Sequence, residues 1–190
     1  SYHRAIESER QAAGLAKLKH VTNFVNDIME IEESVVVFCH HRAIHDLLHQ
    51  NLAKYNPASI IGGQTDKHRD NEITRFQNGE TKLMIAGLRA GNVGINLTKA
   101  SYVIFAELDW SPAIHRQAED RLHRIGQKNT VFAYYLVGNG TLDEHVVDIL
   151  TDKTFEIDSI LDAKTESFEN KERAKLILAQ IHDKLNPNNG

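Results

Sequence analysis

Val35-Val36-Val37-Phe38-Cys39 is an unbroken apolar run that opens on three β-branched residues and passes directly into the polar group His40-His41-Arg42-Ala43. A strand with no polar alternation has both faces covered, the usual condition of a parallel sheet layered between helices. Downstream, Ile44, Leu47, Leu48 and Leu52 recur at three- and four-residue spacing and predict a helix. A second short apolar run at 58–61 closes on Gly62-Gly63, so strand, helix and strand follow in order. The same alternation continues with a helix over 66–76, strands over 82–86 and 102–106, a helix over 111–124 and a strand over 131–137. It predicts an α/β domain built on a parallel sheet with right-handed crossovers.

Upstream, Leu15, Leu18, Val21, Val25, Ile28 and Met29 mark an amphipathic helix over 15–30, with the polar segment 1–14 expected to be a mobile or linking piece. The α/β body is assigned to 15–141. After Gly138-Asn139-Gly140 the pattern becomes purely helical, over 143–161 and 166–185, and predicts a helical brace across 142–185 followed by a frayed tail at 186–190.

Composition fits one globular body with an extension: 190 residues, 41% hydrophobic and 25% charged. The single cysteine, Cys39, lies inside the first strand, cannot form an internal disulfide and fits a reducing compartment. No apolar run approaches the roughly 18 residues that cross a bilayer, so no membrane partner is expected. The start, Ser1-Tyr2-His3-Arg4, has neither methionine nor a signal-peptide pattern, and the chain is expected to be a piece of something longer. The net charge of −4 is uneven: Lys and Arg against Asp and Glu count 4 to 6 over residues 1–34, 12 to 9 over 35–141, and 6 to 11 over 142–190. The body is basic between acidic flanks, a distribution that leaves room for a localised polyanion site.

In an open parallel sheet ligands gather off the carboxyl ends of the strands. The first such loop carries His40, His41 and Arg42, and the second carries Gly62, Gly63, Gln64 and Thr65, where glycine permits close backbone approach and Thr65 can cap the next helix. The third, Gly87-Leu88-Arg89-Ala90-Gly91-Asn92-Val93-Gly94-Ile95-Asn96-Leu97-Thr98, can turn sharply and aim amides at anions. It contains no GxGxxG, and glycine nowhere precedes lysine, so neither a dinucleotide fingerprint nor a Walker A loop is present. The fourth leads through Glu107-Leu108-Asp109-Trp110-Ser111-Pro112 into a helix that Ser111 can cap, Pro112 can begin and Gly126 can end. On that helix Arg121 and Arg124 are i,i+3 neighbours, two permanently charged forks about one turn apart. Such forks suit phosphate, the plainer alternative being a surface pair bridged to Glu119 and Asp120.

Three stretches taken together break that tie: Gly94-Ile95-Asn96-Leu97-Thr98, Asp109-Trp110-Ser111-Pro112, and Gln117-Ala118-Glu119-Asp120-Arg121-Leu122-His123-Arg124-Ile125-Gly126-Gln127. They resemble the late motifs of Swi/Snf-type, superfamily-two DNA-dependent ATPases, whose final motif Q-x-x-x-R-x-H-R-I-G-Q is met at every fixed position. The resemblance spans about residues 15–163, and the Ala118-Glu119-Asp120-Arg121 wording with Glu107-Leu108 is most like the annealing-helicase and fork-remodelling branch.

The resemblance implies a RecA-like second lobe: a parallel sheet flanked by helices, without the Walker lysine and magnesium-binding acidic box, which belong to a first lobe. ATP and Mg²⁺ are then expected in the full-length parent, with none held by this chain alone and no metal site assigned to it. Arg121 and Arg124 are implied to be catalytic, facing the γ-phosphate from across the lobe interface with Arg124 as arginine finger. Gln117 and Gly94 are implied to lie at the same nucleotide interface. Arg42, Gly63, Thr65, Arg89 and Ala90 correspond to contacts with a duplex DNA backbone, and Trp110 to a segment coupling the two sites. The partners implied are double-stranded DNA and the first lobe, with the chain itself a monomer. A nuclear setting is implied in a eukaryote, and a cytoplasmic, nucleoid-associated one in a prokaryote. One position departs from the family: Leu88 stands where a small hydroxyl residue usually precedes the arginine, which removes a hydroxyl contact to phosphate. The alternative of another class is a non-catalytic nucleic-acid or protein-interaction module that kept the fold, and intact Arg121, Arg124 and Gln127 weigh against it. His41, His45 and His49 fall i,i+4 on one helical face, a row that helical spacing easily creates without a metal.

Overall fold

The computed structural model describes residues 2–90, 96–109, 113–114, 117–118 and 132–135. The order of elements is α1 (Tyr2–Glu30), β1 (Val35–Cys39), α2 (Arg42–Asn51), a 3₁₀ turn (Ala53–Tyr55), β2 (Ala58–Ile60), α3 (Asp66–Gln77), β3 (Leu83–Gly87), β4 (Tyr102–Phe105) and β5 (Phe132–Tyr135). The five strands form one sheet in the order β2-β3-β1-β4-β5. Every pairing is parallel, with Val35 opposite Leu83 on one side and Tyr102 on the other. Strand β1 is central and all five of its residues are buried.

The run at 35–39 is wholly apolar because successive side chains enter two different cores. Val36 and Phe38 point into one with Met84, Ala86, Val103, Phe105 and Phe76 of α3. Val35, Val37 and Cys39 point into the other with Leu83, Ile85, Ile104 and the α1 and α2 residues Val21, Val25, Ile44 and Leu48. Phe38 and Phe105 stack across the β1–β4 pair with ring centres 5.4 Å apart, an arrangement that adds to their area burial.

Helix α1 starts earlier than its apolar spacing predicts: it includes the polar residues before 15 that were expected to be mobile or linking. With 29 residues it is about 43 Å long at the standard rise, more than twice the span of a five-residue strand. Val21, Val25 and Ile28 pack on the sheet. Further toward its start, Gly14 lies against Ile44 and Glu107, and Glu7 against His40 and His41. The helix therefore runs antiparallel to β1, and its first turns reach the carboxyl edge of the sheet. A period count misses this half because ion pairs and a glycine contact, not an apolar stripe, hold it down.

The helix predicted to open at 111, those predicted over 143–161 and 166–185, and the predicted tail fall outside the described residues, except that 113–114 and 117–118 are helical and Ala118 is buried in the α3-side core.

Candidate nucleic-acid interface

From β1 the chain leaves toward β2 on one side of the sheet, and from the adjacent β4 it leaves toward β5 on the other. The crevice between these two strand ends is the topological switch point, where open α/β sheets bind ligands. Here it is filled by charged side chains from four segments.

Glu107, following β4, organises the exit of β1. Its Oε1 accepts hydrogen bonds from the backbone N–H groups of both His40 and His41, each at 2.9 Å, and its Oε2 meets Nδ1 of His41. His41 is the N-cap of α2 but makes no cap bond with its own side chain, so a carboxylate from 66 residues away satisfies donors at the start of that helix. Glu107 is 3% exposed. Sequence reasoning missed this role; an acid directly after an apolar strand was the available signal.

Arg42 opens α2 with its side chain 62% exposed and an i,i+4 ion pair to Asp46 at 3.1 Å. The hydrogen bond from His45, with a smaller contribution from Arg42, holds the Asp46 carboxyl below its usual range. His45 itself is buried between Asp46 and Ser59, one ring nitrogen on each, and burial lowers its pKa. Both nitrogens are thus engaged, and the His41, His45, His49 row does not converge.

At the exit of β2, Gly62 and Gly63 are exposed and Gly63 has φ +84°, the left-handed region that favours glycine. Thr65 caps α3 as predicted, accepting from the His68 N–H at 3.2 Å. Gln64 ties the loop shut, accepting from the Ile61 N–H at 3.1 Å and donating to the Ser59 carbonyl at 3.0 Å.

After β3, Leu88 is buried and its N–H donates to the Cys39 carbonyl at 2.8 Å. The residue that departs from the family pattern is therefore a core contact. Arg89 points outward, its side chain 60% exposed, yet it is clamped by Asp109 through Nε at 2.9 Å and Nη2 at 3.0 Å. Asp109 is 1% exposed, and the paired hydrogen bonds raise the Arg89 pKa further. Ala90 is half-buried and closes a turn through its N–H to the Gly87 carbonyl at 3.2 Å. Arg89 is thus a tethered cation with donors still facing solvent.

Arg42, Gly63, Thr65, Arg89 and Ala90 all follow carboxyl ends of strands in one sheet. Gln117 is exposed on its helix next to buried Ala118. Gly94, Trp110, Arg121, Arg124 and Gln127 lie outside the described residues.

Residues 16–126 match the family model described as helicase conserved C-terminal domain. A SWI/SNF-related matrix-associated actin-dependent regulator of chromatin subfamily A-like protein 1 from Xenopus tropicalis is 36% identical over 142 residues, 73% of this chain and 15% of that protein. The human DNA annealing helicase and endonuclease ZRANB3 is 32% identical over 167 residues, 85% of this chain and 15% of that protein. The chain therefore spans about a seventh of the length of these relatives. In structure it is similar to the C-terminal part of the Fun30 ATPase domain, with a TM-score of 0.65 and 25% identity over 70% of this chain and 44% of that one. The RecA-like parallel fold, the matched model and these relatives agree, and the chain belongs to the helicase C-terminal domain family as a Swi/Snf-type second lobe.

Proposed function

We propose that this lobe is the second half of an ATP-driven motor that moves on double-stranded DNA. The observation that carries the reading is the common edge: Arg42, the Gly62-Gly63-Gln64-Thr65 loop and the Arg89-Ala90 turn all follow carboxyl ends of adjacent parallel strands. Exposed cations, an open glycine backbone and a hydroxyl suit a phosphate backbone, where contacts fix register and orientation without reading sequence. Nothing among the described residues supplies a P-loop, which supports a site shared with a first lobe.

In that shared site Arg121 and Arg124 supply positive charge to the transferring phosphoryl group of the substrate ATP, with Arg124 as the finger, Gln117 and Gly94 beside it, and Trp110 linking to the DNA side. Phosphoryl transfer is mainly positioning and charge stabilisation, and a finger contributes about 10³ to 10⁵ in rate. Mg²⁺, held by the first lobe, would neutralise phosphate charge.

Two measurements test this. In the two-lobed parent, Arg124→Ala should abolish hydrolysis while ATP binding is kept; equal loss of both would mean a folding role. The 190-residue chain alone should bind duplex DNA weakly and hydrolyse no ATP, and DNA-stimulated turnover by it would overturn the half-site reading.

A further inference from the structure

Two histidine rings and one carboxylate meet on the α1 side of the switch point in an arrangement that the DNA and nucleotide roles do not use. Glu7 Oε1 lies 3.2 Å from Nε2 of His40 and 2.8 Å from Nε2 of His41. The other nitrogen of each ring faces a buried carboxylate: Nδ1 of His41 meets Glu107 Oε2, and Nδ1 of His40 is 3.8 Å from Asp109 Oδ2.

The proton inventory follows from these contacts. An imidazole nitrogen against a carboxylate oxygen carries the hydrogen, so Nδ1 of His41 is the N–H. In the neutral ring Nε2 then presents a lone pair, and that lone pair faces a second carboxylate oxygen, Glu7 Oε1. Despite the short distance, Nε2 of His41 is buried without a hydrogen bond of acceptable geometry. His40 sets its own Nε2 3.2 Å from the same oxygen, and with Asp109 beside its Nδ1 the ring can carry its hydrogen there and leave Nε2 to a cation. The His41 Nε2 lone pair and Glu7 Oε1 face one another without a hydrogen between them, a pairing that positive charge relieves, whether a proton or a metal ion.

A neutral ring whose Nδ1–H is oriented by a carboxylate and whose Nε2 is exposed to a third group is how proteins prepare a histidine ligand. Ligand atoms about a tetrahedral ion with bonds of roughly 2.0 to 2.2 Å stand on the order of 3.3 Å apart, close to the separations found. Arg10, 3.4 Å from Glu7 Oε2, occupies the other carboxylate oxygen and leaves Oε1 to the rings.

We infer that Glu7, His40 and His41 form a site for a first-row divalent transition ion of the Zn²⁺ type, which clamps the first turns of α1 to the exit of β1. Two imidazoles and a carboxylate suit zinc and its neighbours better than Mg²⁺ or Ca²⁺, and the half-exposed Glu7 leaves room for water to complete the coordination. The ligands come from the first turns of α1 and from the exit of β1, so the ion would fix the start of that helix beside Arg42 and the Arg89–Asp109 pair. This inference does not depend on the motor reading.

The test is Zn²⁺ titration of the 190-residue chain by calorimetry, with Co²⁺ as an optical probe. The expected result is one ion per chain, a visible Co²⁺ spectrum of a four- or five-coordinate nitrogen and oxygen site, and increased amide protection at the start of α1. Glu7→Gln changes only the exposed ligand and His40→Ala removes one ring; each should weaken binding tenfold or more, while circular dichroism confirms folding. His49→Ala should leave binding intact. Absence of stoichiometric binding, or an affinity in Glu7→Gln and His40→Ala unchanged from that of the unsubstituted chain, would overturn the assignment.

Discussion

Replacing Glu107 should damage the lobe out of proportion to one side chain. Its carboxylate accepts from two backbone N–H groups at 2.9 Å and engages the His41 ring, so Glu107→Ala strands three polar groups at the start of α2. A buried donor left without its partner costs about 1 to 3 kcal/mol. His40 and His41 are half-buried, so water can reach part of the gap, and the lower end applies: about 3 kcal/mol for the three together. Glu107→Gln keeps an amide oxygen for the two N–H groups and loses the charge, which should cost about 1 kcal/mol, the difference between charge-assisted and neutral hydrogen bonds. Urea unfolding at pH 7, read at constant m-value, gives both numbers. If Glu107→Ala cost under about 1 kcal/mol, or if Gln were as harmful as Ala, the carboxylate would not be the cap of α2 and the reasoning would fail.

Three further outcomes follow from the same geometry. Arg42→Ala should change stability by less than about 0.5 kcal/mol, since its pair with Asp46 is exposed, yet in the two-lobed parent it should weaken duplex binding on all sequences and reduce the salt slope by about one, measured by anisotropy titrations across salt. Gly14→Val should destabilise by about 1 to 3 kcal/mol in thermal unfolding, because even a Cβ there would sit 3.1 Å from Ile44 and 3.2 Å from the Glu107 carboxyl carbon. Gly14→Ala should cost less than Gly14→Val, as relief of roughly 1 kcal/mol of helix penalty partly offsets the shift it demands of Ile44 and of the tethered Glu107 carboxylate. Burial lowers the His45 pKa below its ordinary 6.5, so the unfolded chain binds more protons there; stability from this group is complete above that value and is lost as pH falls toward the folded pKa, and His45→Gln should flatten that part of a pH–denaturation profile.

The sheet was legible because its signals are local. A strand buried on both faces must be apolar at every position, and Val35–Cys39, Leu83–Gly87 and Tyr102–Phe105 announce themselves within a few residues. Thr65 as a helix cap was legible for the same reason, its partner being three residues away. Gln64, Glu107 and Asp109 were not assigned roles, although Gln64 needs only its own loop. The other two act over long separations: Glu107 on residues 66 and 67 positions back, and Asp109 on an arginine 20 back. The first half of α1 was missed because its attachment is chemical: Glu7 and Arg10 hold two histidines and the Leu108 carbonyl, while Gly14 supplies the close approach.

The Arg89–Asp109 pair changes how the third loop's arginine should be understood. A free guanidinium would lose considerable rotamer freedom on gripping a phosphate, whereas one already held by two hydrogen bonds to a buried carboxylate has met most of that entropy in folding. The clamp lowers net attraction for an anion and gains orientation in exchange. It also makes Arg89 sensitive to any displacement of the segment at 107–109, which carries Glu107 at one end and leads into Trp110 at the other. The start of α2 and the turn bearing Arg89 thus share one short stretch after β4. A shift of that stretch would move Arg42 and Arg89 together, which is what the proposed motor would need for its two sets of contacts to change in step.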